Sequence, residues 1–236
     1  MNFDPTHIKG ILIDLDNTLY DYLPCNEAGK QAAFELLARS LSRTTPEIAR
    51  HFEIARKNVK TRLQREIGYE TAASHSRLLY FQTMIEDLAH KSNPSLTKEA
   101  DKIFWDNYLS TMTLLPGALD FLKILNAQKK RVAIVTDMMH SIQLKKLCHL
   151  QIDNHIDVIV SSEEVGKDKP HPASTLLALQ KIKCTPRESV FIGESEEKDA
   201  AAALAAGVVP IMIRYKPKNA ELLFVKNFTN LSALFI

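Results

Sequence analysis

Two acids one residue apart, Asp14 and Asp16, follow three consecutive aliphatic residues, Ile11, Leu12 and Ile13. A short run with no polar face reads as a strand buried on both sides in a parallel sheet. Side chains alternate along an extended chain, so Asp14 and Asp16 project the same way at the strand's carboxyl end. That end is where open α/β sheets bind ligands. Two carboxylates held close together repel, and a fold keeps them where a cation, a proton or a set of donors lies between. Mg2+ suits such a place, because it takes oxygen ligands and is commonly held by one or two carboxylates together with a substrate phosphate. Beside it, an ionised Asp can attack phosphorus while its neighbour hands a proton to the departing alcohol. Taken alone, D-x-D equally suits a turn that caps the next segment.

Three further groups follow predicted strands. Thr136 closes Val132-Ala133-Ile134-Val135 and offers a hydroxyl, with backbone amides beyond it, to a phosphate oxygen. Lys169, in Gly166-Lys167-Asp168-Lys169-Pro170, offers a point charge. Gly193-Glu194-Ser195 ends the strand Val190-Phe191-Ile192 with a third carboxylate, and Asp199 supplies a fourth five residues after Glu194. Each has an ordinary alternative: a solvated loop lysine, a strand-ending threonine, acids favoured at a helix start. Together they make a metal-assisted phosphoryl-transfer site.

The elements that must position these residues alternate. Helices over Ala118 to Asn126, Ser141 to Leu150, Pro172 to Ile182 and Glu197 to Ala206 interleave with strands Arg131 to Thr136, Ile156 to Val160, Ser189 to Ile192 and Val208 to Ile213. That alternation predicts right-handed βαβ units and an α/β, doubly wound parallel sheet. Between the first strand and Leu114 only helical spacing is found. Phe34, Leu37 and Leu41 mark one helix; Thr45 as N-cap, Pro46 and Glu47 open a second, with the stripe Ile48, Phe52, Ala55, Val59 and Leu63 and an end at Gly68. Leu78, Phe81, Ile85 and Leu88 predict a third, and Thr97 to Leu109 a fourth. Within this stretch Arg43 to Arg65 carries seven Lys or Arg against two Glu, the pattern of a wet helix face. Arg62, Arg65, His75 and Arg77 are its candidates for reaching a substrate anion.

The chain has 236 residues and a formal net charge of +2, too small to indicate nucleic acid or a membrane surface as partner. Three cysteines, Cys25, Cys148 and Cys184, share no C-x-x-C spacing and suit a reducing compartment. The first ten residues lack the apolar core of a signal peptide, so the expected location is cytoplasmic.

In their order and context these motifs resemble the haloacid dehalogenase superfamily, in the form with a helical cap inserted after the first motif. Asp14-Leu15-Asp16-Asn17-Thr18 matches the first motif, Thr136-Asp137 the second, Lys169-Pro170 the third, and Gly193-Glu194-Ser195 through Asp199 the fourth. The resemblance implies a Rossmann-like core over 1–20 and 112–236, with an all-helical cap over 21–111. It implies Asp14 as nucleophile and Asp16 as general acid and base. Thr136, Asp137 and Lys169 would bind phosphate, and Asp14, Asp16, Glu194 and Asp199 would form the Mg2+ site, Asp199 in a supporting place. The expected substrate is a small phosphorylated metabolite of the nucleotide or sugar phosphate class, with oligomeric state open. A second Asp favours attack on phosphorus over removal of halide. A phosphomutase shares these motifs, and a non-catalytic binding module could retain them. Two departures stand out: the fourth motif more often begins Gly-Asp, where this chain has Glu194, and the second often reads Thr-Asn-Gly, where it has Thr136-Asp137-Met138.

Overall fold

The computed structural model describes residues 5–67 and 70–236. The chain separates into two compact units, one formed by Met1–Asp21 with Thr113–Ile236 and the other by Tyr22–Met112. Before the insertion the first unit contributes β1 (Gly10–Ile13). The second unit holds α1 (Tyr22–Ser40), α2 (Thr45–Ile67), α3 (Arg77–Ala89) and α4 (Pro94–Thr111). The first unit then resumes with α5 (Ala118–Ala127), β2 (Arg131–Thr136), α6 (His140–Leu150), β3 (Val158–Ser161), α7 (Ser162–Val165) and α8 (Ala173–Ile182). It ends with β4 (Ser189–Gly193), α9 (Ala201–Ala205), β5 (Val209–Ile213), β6 (Leu223–Val225) and α10 (Phe228–Ser232).

The six strands form one sheet in the order β3-β2-β1-β4-β5-β6, and every pairing is parallel. β1 and β4 are buried along their whole length, which is why neither alternates polar with apolar residues. On one face Leu12, Ala133, Val135 and Phe191 pack with Ala178, Leu179 and Ile182 of α8 and Ala203 next to β5. Each large aliphatic side chain removed from water in this way contributes about 1.5–3 kcal/mol. The strand order reverses direction at β1, between β2 and β4, and a crevice opens at such a switch point beyond the strands' carboxyl ends.

The helical unit is organised by aromatic rings. Phe52 lies 5.1 Å from Phe34 and 5.2 Å from Phe81, and Phe81 lies 6.1 Å from Phe104, so one ring cluster joins all four helices. Gly29 of α1 lets α4 approach, since a Cβ there would stand 2.7 Å from the Phe104 carbonyl oxygen. The stripe Ile48, Phe52, Ala55 and Val59 is buried. Three details differ from the sequence expectation. The cap of α2 is Thr44 and not Thr45: Glu47 N–H donates to Thr44 Oγ1 and Thr44 N–H to Glu47 Oε2, a reciprocal box that Thr45 is one residue too late to form. Leu78 is exposed, because α3 turns Arg77, Tyr80, Phe81, Met84 and Ile85 inward. The helix expected from Glu197 to Ala206 opens as a wider turn over Glu196–Ala200 before α9 begins. Gly68, expected to end α2, lies outside the described residues. Among the described residues no helix is long and apolar enough to cross a membrane.

Candidate active site

Register alone gathers the first, second and fourth motifs. Ile13 lies opposite Ile134 on β2 and Ile192 on β4, so Asp14 emerges beside the ends of both neighbouring strands. Its N–H donates to Ile192 O at 2.9 Å. Thr136 and Glu194 each lie two residues past those same rungs.

Asp14 is buried, and both its oxygens are held. Thr18 Oγ1 donates to Oδ2 at 2.8 Å and Lys169 Nζ to Oδ1 at 2.6 Å. The same ammonium reaches Asp199 Oδ1 at 2.7 Å and Val135 O at 3.3 Å. Burial pushes the Asp14 carboxyl up, to about 8; Lys169 pulls it down, and the Asp199 and Asp16 charges push it further up. Burial also opposes charge on Lys169, but Asp14, Asp199 and Asp137 outweigh it and hold the amine well above the usual lysine range. One ammonium between two buried carboxylates is a compact arrangement, since a buried charge is tolerated only when paired.

Asp199 Oδ2 accepts from the N–H groups of both Glu194 and Ser195 at 3.0 Å, so this acid braces the fourth motif while its other oxygen meets Lys169. Gly193 is what admits it: a Cβ at 193 would stand 2.5 Å from three atoms of the Asp199 side chain. Gly193→Ala is therefore expected to push Asp199 off its two amides. It should cost about 1–3 kcal/mol of stability, as overpacking does, and lower turnover as well; a thermal melt and a rate measurement side by side would reveal it. Glu194 is half-buried. Burial first, and then the Asp199 charge, raise its carboxyl, while the Asn17 side chain and Lys169 oppose the rise.

Thr136 Oγ1 accepts from Gln143 Nε2 at 2.7 Å. Asp137 is turned into the protein: Oδ1 accepts from Lys169 N–H at 3.0 Å, and Oδ2 lies 3.5 Å from Lys198 Nζ. The acid thus supports the backbone of the third motif. Burial raises its carboxyl, against the pull of Lys169. Met138 follows with φ of +84°, a conformation glycine adopts freely and other residues hold at a cost of order 1–3 kcal/mol.

Asp16 is held by residues that the motifs do not include. Lys146 Nζ donates to Oδ1 at 2.5 Å, Tyr20 Oη donates to the same oxygen, and Gln143 Nε2 donates to Oδ2 at 3.1 Å. Burial opposes the charge on Asp16, but Lys146, Tyr20 and Gln143 prevail and hold the carboxyl below its usual range. Arg214, just after β5, donates to Asn17 O and to the Asp21 carboxylate, tying down the rest of the first loop. In sequence Arg214 carries a faint signal, a charge directly after a buried strand.

The helical unit has a cavity of its own, of ≈ 200 Å³. Arg77, Lys30 and Arg56 line it with one carboxylate, Glu53, and with Tyr22 and Asn26. Arg77 is buried; it donates to His75 O at 2.8 Å and lies 5.6 Å from the Phe104 ring centre and 5.7 Å from that of Trp105. Arg62 is exposed, and the Arg65 side chain lies outside the described residues.

A family model described as a haloacid dehalogenase-like hydrolase matches residues 8–207 of this chain. The chain belongs to the haloacid dehalogenase-like hydrolases. Among curated members of that family, the ribulose-1,5-bisphosphate 5-phosphatase of Halopiger xanaduensis is 36% identical over 204 residues, 86% of this chain and 83% of the relative. The glyceraldehyde 3-phosphate phosphatase of Methanopyrus kandleri is 27% identical over 207 residues, 88% of this chain and 84% of the relative. The crystal structure of a 2-haloacid dehalogenase from Pseudomonas syringae superposes with a TM-score of 0.76 at 22% identity, covering 96% of this chain and 97% of that one, and shares the haloacid dehalogenase fold.

Proposed function

We propose that this phosphatase hydrolyses a small phosphomonoester in two displacements at phosphorus, with Asp14 as nucleophile. The observation that carries the reading is the shared ammonium: Lys169 meets the Asp14 and Asp199 carboxylates at 2.6 and 2.7 Å at the sheet's switch point. In the first step an Asp14 oxygen forms a bond to phosphorus, the bond to the alcohol oxygen breaks, and Asp16 gives that oxygen a proton. Water then attacks the aspartyl-phosphate, Asp16 takes a proton from it, and Asp14 is released. Lys169 spreads the charge that builds on Asp14 and the transferred group, and Thr136 donates to a phosphoryl oxygen.

The donor set fits Mg2+. Asp14, the Asp16 backbone carbonyl and Glu194 are all oxygen donors, and both carboxyls are raised by burial and by neighbouring acids, as expected of groups that gain from a cation. Once bound, the metal supplies charge neutralisation to the phosphoryl oxygens. Asp199 enters as the brace of Glu194, through its Oδ2 on the Glu194 and Ser195 amides.

The substrate class we favour is a phosphorylated sugar or short acid. The two curated relatives above act on phosphorylated carbohydrates by name. Phosphate release from a panel of such esters is expected with Mg2+, to vanish in EDTA and to return on adding Mg2+ in excess. A folded protein that releases no phosphate from any member under those conditions would overturn the proposal.

A further inference from the structure

We propose that Lys146, with Gln143, is a positioning residue that fixes the Asp16 carboxylate as proton acceptor for the second displacement. This rests on the reading of Asp16 given above. Lys146 is a fully buried lysine on α6, and its ammonium lies 2.5 Å from Asp16 Oδ1. Gln143 stands three residues earlier on the same helix, so both side chains leave one face. It too is fully buried, and its Nε2 reaches three acceptors: Asp16 Oδ2 at 3.1 Å, Thr136 Oγ1 at 2.7 Å and Asp137 O at 2.7 Å. Its Oε1 has no hydrogen-bond partner. A buried acceptor left unsatisfied is costly; here it accompanies an amide turned so that its donors face the first and second motifs.

Both oxygens of Asp16 are thus gripped from α6, and the grip is selective by charge. An ammonium holds an ionised carboxylate firmly and a protonated one weakly. Lys146 therefore acts in the half of the cycle in which Asp16 is a carboxylate. In that half a water oxygen bonds to phosphorus, the bond from phosphorus to the Asp14 oxygen breaks, and the water's proton passes to Asp16. That proton is the one Asp16 gives to the alcohol of the next ester, so protons balance over a turnover.

The test is steady-state and rapid-mixing kinetics of Lys146→Met and Gln143→Met in Mg2+, with Asp16→Asn alongside and circular dichroism for folding. The quantity kcat/KM covers events only as far as the aspartyl-phosphate, whereas kcat also includes its hydrolysis. For Lys146→Met, kcat should fall about 10- to 100-fold, the range for a misplaced catalytic group. KM should fall with it, kcat/KM should change much less, and a burst of alcohol should precede a slow steady state, with the phosphate adduct visible by intact mass. Gln143→Met should act the same way with smaller amplitude, and it serves if Lys146→Met does not fold. Equal losses in kcat and kcat/KM, or no loss, would sink the inference while leaving the two-step reading intact. Absence of the phosphate adduct from the wild type and from every one of these variants would remove both.

Discussion

Asp14→Asn is expected to lose phosphatase activity by at least about a thousandfold, because an amide cannot form the bond to phosphorus that starts the cycle and loss of a nucleophile removes most of an enzyme's rate enhancement. The same change should leave the protein as stable as before, or more so. Burial raises the Asp14 carboxyl to about 8, against about 3.9 for an exposed Asp. A carboxyl raised in this way binds its proton more tightly when folded, so stability falls as pH climbs from the unfolded value through the folded one. Near pH 7 most of that penalty is present, and Asn removes it. Lys169 keeps a partner in Asp199, so no cation is stranded. Thermal melts in EDTA near pH 7 should put Asp14→Asn at or above the wild-type midpoint. A clear drop would show that the Asp14 carboxylate holds the fold together and would contradict the balance of forces described here.

Lys169→Met is expected to do the opposite to stability. It leaves the buried Asp199 without the ammonium that faces its Oδ1, and the buried Asp14 without the donor to its own Oδ1. Removing one member of a buried ion pair costs about 3–5 kcal/mol, mostly because the other is left in a poor dielectric. Activity should fall about 100- to 1000-fold, the effect of deleting one donor to a developing charge. The two substitutions are also expected to be non-additive, since they share one contact. Adding Asp14→Asn to Lys169→Met should restore part of the lost stability, as an amide at 14 carries none of the proton-binding cost that burial imposes on the carboxyl near pH 7. A double variant that melts at the sum of the single effects would show that the shared ammonium is not what balances the two acids.

The contrast between these variants bears on what could be read from sequence. β1, β2, β4 and β5 were legible because each is a short apolar run, and Asp14, Thr136 and Glu194 lie at or just past the ends of such runs, whereas Lys169 follows β3 only after α7. The helices of the second unit were legible through Ile48, Phe52, Ala55 and Val59, whose spacing is that of a buried stripe. β6 and α10 were not, because three and five residues are too few to show a period. Leu78 misled because a leucine two residues into a helix fits more than one face. The grip on Asp16 was hidden for a different reason. Gln143 and Lys146 look like the solvated side of an amphipathic helix, and only the sheet's register shows that this side faces Asp16, far away in sequence. Asp137 could be read as a phosphate neighbour but not as the acceptor of the Lys169 amide, since that depends on the path of a loop.

The point where the insertion leaves and rejoins the first unit is closed within that unit: Tyr20 bridges Leu114 in antiparallel fashion, and Leu115 N–H donates to Leu19 O at 2.9 Å. To the sheet, everything between those residues is one loop with fixed ends. The entropy of closing a loop grows only with the logarithm of its length, about 0.6 kcal/mol for each doubling. An insertion of half or twice this size would therefore alter the folding free energy of the sheet by less than one good hydrogen bond. The sheet is accordingly free to accept interchangeable insertions at this doorway, so one insertion can replace another while the arrangement around Asp14 is kept.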